Sequence, residues 1–307
     1  MSARLAVFAP LVLAACAPAA TEPSAPPAAT ADARAQGAAL AQACAGRDGW
    51  SDAAPPALIH GDTYYVGTCG IAVLLITSPN GHALIDGATE EAVPGILANI
   101  RTLGFDPRDI KGIFYTHEHY DHMGGLAALA EATGAPVWSR EPGRSVLESG
   151  MVDPADPQVD VIRGAAPVRV NRIFDGASGI PVGDSGLVLT PVPTPGHTNG
   201  GTSWNWQSCE DGVCVNIAYV DSLTAVSGDA YRFTDHPERV APFRSTFAKV
   251  AAMPCDILLT PHPSISNLIP RLAGQAPLVN PQGCRDVAQA MAARLDARLA
   301  QEAQTGS

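Results

Sequence analysis

The apolar run Ile110 to Tyr115 passes directly into Thr116-His117-Glu118-His119-Tyr120-Asp121-His122. Three imidazoles and the Asp121 carboxylate therefore follow at once on a segment that reads as a strand. Few apolar cores satisfy that density of polar rings. Imidazole nitrogen and carboxylate oxygen suit divalent zinc, and a strand that ends in a ligand-bearing loop is a common way to present them. The first expectation is a metal site at the end of a strand.

Two more histidines share that setting. His197 lies in Thr194-Pro195-Gly196-His197-Thr198 and His262 in Leu259-Thr260-Pro261-His262-Pro263, each just past an apolar strand. Loops at strand ends can converge on one edge of a sandwich, so three distant segments can meet in space. His60, His82 and His236 lack such surroundings and read as surface or capping residues. A serine-acyl route needs a Ser three residues before a Lys. The lysines are Lys111 and Lys249, preceded at that spacing by Arg108 and Thr246, so that route has no nucleophile.

The chain has 307 residues, 46% of them hydrophobic, enough to bury a large core. Its formal charge is −11 with no Lys/Arg cluster, which argues against nucleic acid as a partner. Strands are expected at 63–67, 71–78, 82–86 and 110–115, with Pro79-Asn80-Gly81 as a hairpin turn. Apolar residues at three-to-four spacing predict a helix over 90–103, and Asp121 is placed to cap another over 122–133. A second series repeats the pattern: strands near 168–173, 187–193, 202–207, 215–219 and 256–259, then helices at 238–252 and 285–303. Two sheets with helices outside them are the economical packing.

Residues 1–16 carry Arg4 and then the apolar Leu5 to Ala15, the shape of a secretory signal. Leu13-Ala14-Ala15-Cys16 is similar to a bacterial lipobox, in which Cys16 becomes the lipidated first residue and a membrane tether. Ordinary cleavage after the Ala-Pro-Ala-Ala run is the competing reading. Residues 17–36, rich in Ala, Pro, Thr and Ser, read as a flexible linker, and 37–307 as one domain. Without Cys16, six cysteines remain, which suits an oxidising compartment and allows fifteen connectivities. Cys209 and Cys214 are close enough to bridge a hairpin loop. Cys44 with Cys69 and Cys255 with Cys284 are the sequence-local remainder. No CxxC spacing points to a thiolate metal site.

The HxHxDH stretch His117 to His122, followed by Pro195-Gly196-His197-Thr198, resembles the metallo-β-lactamase superfamily of zinc hydrolases. The resemblance implies an α/β fold, the four-layer αββα sandwich. It assigns His117, His119 and His197 to one Zn2+ and Asp121, His122 and His262 to a second. Asp86, in Leu84-Ile85-Asp86-Gly87, matches an acidic residue that orients a ligand histidine from behind.

Three longer phrases, Pro195 to Trp204, Ala218 to Ala225 and Pro254 to Pro263, are similar to class B β-lactamases of the third subclass. Where other class B enzymes carry a Cys ligand, Ser222 stands here, so no cysteine ligand is expected. The resemblance implies the disulfide pairing given above and a hydrolase of small β-lactams, carbapenems included; with the leader it points to a periplasmic protein or an outer-membrane lipoprotein form of it, a monomer by default. A zinc-activated hydroxide would attack the lactam carbonyl, with Asp121 orienting it and Ser222 and Thr224 anchoring the substrate carboxylate. The loop 148–161 would overhang the site and bring Gln158 to the substrate, with Trp50 and Tyr64 walling the groove. Non-lactamase relatives place a bridging Asp near Asp221, so a lactonase, thioesterase or glyoxalase-like activity is the alternative.

Overall fold

Side chains alternate between two faces along the central strands, as an extended backbone requires, and the alternation sorts them into separate cores. The computed structural model describes residues 33–176 and 178–305; the leader with Cys16 and most of the 17–36 stretch lie outside them. Helix α1 (Ala33–Ala43) leads into β1 (Ala57–His60), β2 (Thr63–Tyr65), β3 (Leu74–Ile76) and β4 (His82–Ile85). Then come α2 (Val93–Thr102), β5 (Ile110–Phe114), α3 (Tyr120–Met123) and α4 (Leu126–Thr133). After β6 (Trp138–Ser139), α5 (Glu141–Ser149) and β7 (Arg172–Ile173), the second series begins. It runs through β8 (Ile180–Pro181), β9 (Val188–Pro193), β10 (Thr202–Glu210), β11 (Val213–Tyr219), α6 (Pro237–Ala251), β12 (Ile257–Leu259), α7 (Leu268–Leu272) and α8 (Gly283–Thr305).

Strands β1 to β5 form one sheet in sequence order, and β12-β11-β10-β9-β8 form the other. Tyr65, Leu74, Ile76, Ile85 and Phe114 face Trp204, Trp206, Ile217, Tyr219, Ile257 and Leu259 in the core between the sheets. Their neighbours Tyr64, Leu75, Leu84 and Ile113 point the other way, against Ile96 and Ile100 of α2 and Leu126 and Leu129 of α4. On the far side, Ala218 and Leu258 pack against Phe243 and Phe247 of α6 and Val287, Met291 and Leu295 of α8. The layers are therefore helix, sheet, sheet, helix: the αββα sandwich.

Three expectations change. Helix α1 starts at Ala33, inside the stretch read as linker, and Gln36 Oε1 accepts from Leu58 N at 2.8 Å, so the domain begins earlier than residue 37. Of the strand expected over 168–173, only Arg172–Ile173 pair; Val168 and Val170 are buried outside any strand, Val168 N donating to Leu147 O of α5 at 2.9 Å. Tyr64 is buried on the helix side of its sheet, with its ring centroid 5.5 Å from that of Phe105, in place of the groove wall expected of it. The disulfides Cys44–Cys69, Cys209–Cys214 and Cys255–Cys284 tie α1 to the loop after β2, close the β10–β11 hairpin and join β12 to α8. No helix of the described residues is long and apolar enough to cross a membrane.

Candidate metal centre

Topology brings the histidines together. β9 and β11 both pair antiparallel with β10, and β12 runs parallel to β11, so all three end at the same edge. The end of β5 is joined to that edge where Thr202 N donates to Thr116 O (2.8 Å) and Trp204 Nε1 to Tyr115 O (2.9 Å). Segments 116–122, 194–201, 220–224 and 260–262 therefore surround one point. Gly200 and Gly201 permit the close approach: a Cβ on Gly201 would lie 2.6 Å from Asp221 Oδ2 and 2.7 Å from Thr194 O.

Two donor groups result. His117, His119 and His197 offer ligand atoms within 4.8 Å of one another, as do His117, Asp121 and His122. All are buried. His262 completes the cluster through its Nε2, 3.3 Å from Asp121 Oδ2, and its ring centroid is 5.1 Å from that of His122. Asp121 does not cap a helix. It lies inside α3, and its Oδ2 is also 3.1 Å from His122 Nε2, so the imidazoles take the carboxylate that sequence reading gave to a backbone N–H.

Each ring of the first group has a partner behind it. His117 Nδ1 donates to Asp221 Oδ1 (2.8 Å), His119 Nε2 to Asp156 Oδ2 (2.9 Å), and His197 Nδ1 to Thr224 O (2.8 Å). These contacts fix the tautomers and leave His117 Nε2, His119 Nδ1 and His197 Nε2 for the centre. Burial, reinforced by the neighbouring imidazoles, holds the pKa of His117 well below the usual range and that of His197 down at about 3. Both rings are thus neutral, the form that binds metal. Asp86, in the left-handed region at φ 70°, accepts from Thr116 N (2.6 Å) and Tyr219 OH (2.7 Å), with Oδ2 3.6 Å from His122 Nδ1.

His122 provides the test of fit. Its two ring nitrogens are fully buried and lie at ion-pair distance from Asp121 and Asp86, yet neither has an aligned hydrogen-bond partner. Burial opposes charge on this ring, but the two carboxylates outweigh it and raise its pKa to about 10. The pocket therefore draws in positive charge, and a divalent cation competes with the proton for the same place. An all-nitrogen and carboxylate donor set suits zinc.

The metallo-beta-lactamase superfamily model matches residues 66–206. The crystal structure of the metallo-beta-lactamase MIM-1 from Novosphingobium pentaromativorans is 49% identical and superposes with a TM-score of 0.85, covering 88% of this chain and 99% of that one. The chain belongs to the metallo-beta-lactamase superfamily. Its place in subclass B3 follows from MEM-A1, a subclass B3 metallo-beta-lactamase from a soil metagenome library, at 38% identity and TM-score 0.79 over 84% of this chain and 100% of that one. Among curated relatives, an N-acyl homoserine lactonase of Azorhizobium caulinodans is 32% identical over 85 residues. Those residues are 20% of this chain, and the match spans 32% of that lactonase; the first curated relative is spanned over 59% of its length.

In this member of the superfamily, several contributors to the site carry no sequence signal. Asp156 comes from a Pro- and Asp-rich loop with no pattern to single it out. Glu118, buried and with its pKa raised by burial, accepts from Thr198 Oγ1 and Gly200 N, both at 2.7 Å, and so pins the loop that carries His197. The HxHxDH spacing draws attention to the residues around Glu118 and passes over it. Asp221 lies behind His117 and also accepts from Ser222 N (2.7 Å).

The expected substrate residues are more dispersed. Ser222, Thr224 and His262 line one small cavity together with Thr260 and Met291. Trp50 and Asp121 line a second, of about 610 Å3, with Tyr120 and residues 160–163. Gln158 is half-buried, its backbone N donating to Asp156 Oδ1 at 2.7 Å. Of the other histidines, His82 is buried, accepts from Ser78 N at 3.3 Å and packs edge-on to Phe105, a position inside the fold and not on its surface.

Proposed function

We propose that the protein is an exported zinc-dependent β-lactam hydrolase that acts on carbapenems among other β-lactams and confers resistance to them. The observation that carries this reading is the pair of buried donor groups sharing one strand end in a subclass B3 chain. His117, His119 and His197 would hold one Zn2+, and Asp121, His122 and His262 a second. Bound there, zinc would supply Lewis acidity, lowering the pKa of a water toward neutrality and polarising the lactam carbonyl.

The chain's own groups do the rest. Asp221, Asp156 and the Thr224 carbonyl hold the ligand rings in one tautomer. Asp121, with one oxygen committed to His122 and His262, orients the attacking water. Ser222 and Thr224, beside His262, anchor the carboxylate of the substrate, and Gln158 reaches it from the overhanging loop. The secretory signal directs the chain to the periplasm as a monomer, three disulfides suit that compartment, and lipidation of Cys16 would tether it to the outer membrane.

The matches to lactonases and hydroxyacylglutathione hydrolases motivate a second reading, a dizinc hydrolase of lactones or thioesters. Against it, Asp221 turns its Oδ1 to His117 Nδ1 and to Ser222 N, which supports an orienting and not a bridging role. The two readings separate when the zinc-loaded protein is given a carbapenem, an N-acyl homoserine lactone and an acylglutathione. The first reading predicts the highest kcat/KM on the carbapenem. Preference for the lactone or the thioester would replace it with the second.

A further inference from the structure

Residues 160–162 line the 610 Å3 cavity beside Asp121, and the 158–162 turn to which they belong is anchored at both ends. On the near side, Asp156 accepts from His119 Nε2, Asp153 Oδ2 accepts from Asn199 Nδ2 (2.8 Å), and Pro157 O accepts from Gly228 N (2.9 Å). On the far side, the Arg163 guanidinium lies 3.7 Å over the Tyr120 ring and pairs with Glu91 Oε1 at 3.0 Å. Tyr120 OH donates to the other oxygen, Glu91 Oε2, at 2.6 Å, and this bond leads the causes that hold the Glu91 carboxyl down at about 2.

Between these anchors Val161 N and Ile162 N both donate to Gln158 O, closing a single turn. The turn presents apolar surface: Val161 is 63% exposed, and Trp50, which lines the same cavity, is 47% exposed. Trp50 is held in turn, its carbonyl accepting from Thr68 Oγ1 at 3.0 Å, while Ser51 Oγ shares a hydrogen bond with Thr89 Oγ1 at 2.7 Å. Two exposed apolar groups lining one cavity that reaches Asp121 favour an apolar or aromatic guest.

We propose that the Glu91–Tyr120–Arg163 clamp is a specificity determinant: it holds the 158–162 turn, with Trp50, as a pocket for the apolar or aromatic side chain of the substrate. The proposal rests on the β-lactam reading for the identity of that substrate. Arg163 and Glu91 are positioning residues, since they act through the turn. Both side chains are largely exposed, so the clamp is a weak latch sensitive to single substitutions and to salt.

The test uses two β-lactams with one nucleus, one bearing a bulky aromatic side chain and one a methyl-sized group, on zinc-loaded wild type, Arg163→Ala and Glu91→Gln. Expected is a rise in KM for the bulky substrate of about threefold to tenfold, the scale of one exposed ion pair with one cation–π contact. The small substrate's KM, both kcat values and the zinc content stay as in wild type. Amide exchange across 158–162, measured without substrate, becomes faster in both variants. Equal KM shifts for the two substrates, a fall in kcat at constant KM, or unchanged exchange would overturn the clamp. If wild type hydrolyses neither β-lactam, the functional reading fails while amide exchange still decides whether the clamp holds the turn.

Discussion

Removing the Asp221 carboxylate with Asp221→Ala separates an orienting role from a bridging one. Asp221 is fully buried, and its Oδ1 accepts from His117 Nδ1 at 2.8 Å and from Ser222 N at 2.7 Å. Alanine leaves both donors without that acceptor and the His117 ring free to turn. Loss of an orienting partner of this kind costs about 10- to 100-fold in metal affinity, or about 1.4 to 2.7 kcal/mol. Burial raises the Asp221 pKa well above the usual carboxylate range, so the site itself disfavours the ionised group, and this offsets part of the folding cost of leaving the two donors unpaired.

The assay is a competition titration against a chromophoric chelator, with zinc stoichiometry measured alongside. Expected is weaker zinc binding at unchanged stoichiometry, and Asp221→Asn, which keeps an acceptor oxygen, should recover much of the affinity. Loss of one zinc equivalent would show that Asp221 is itself a ligand. Unchanged affinity would refute the orienting role altogether.

Asp156→Ala removes the acceptor for His119 Nε2 and should likewise weaken zinc binding by about tenfold or more, read by the same titration. Trp204→Ala empties a fully buried site between the sheets and leaves Tyr115 O without its indole donor; urea unfolding should show a loss of about 3 to 5 kcal/mol. Burial raises the Asp62 pKa above its unfolded value of 3.8, against opposing hydrogen bonds from Ser208 and Thr63. The stability this group contributes is therefore fully present below pH 3.8 and is lost as pH rises through the folded pKa. Asp62→Asn should remove that decline, so that its stability relative to wild type increases as pH rises through that window.

Much of this architecture was legible because apolar runs bounded by turn residues and strand-end histidines are local signals. Leu74, Leu75 and Ile76 belong to a continuous apolar run that reads as a strand and is buried on both faces. The donors in the metal centre were legible from HxHxDH and from His197 and His262, which follow apolar strands. The partners behind them were not, since Asp156 meets His119 across 37 residues and Asp221 meets His117 across 104. Asp121 was misread as a cap because an Asp ahead of an apolar helix carries the same local signal whether its carboxylate turns to the backbone or to imidazoles. The start of α1 was missed because Ala-rich helix follows Ala-rich linker without a change in composition. Val168 and Val170 alternate like a strand and bury like one, but pairing depends on a neighbour that the segment itself does not specify.

Carbapenem hydrolysis by metal-loaded, chelator-stripped and zinc-restored protein is the direct test of the proposed zinc-dependent β-lactam hydrolysis. Fast turnover that disappears on stripping and returns with zinc is expected. Absence of turnover in the folded, zinc-loaded protein, or turnover that survives complete removal of zinc, would contradict it.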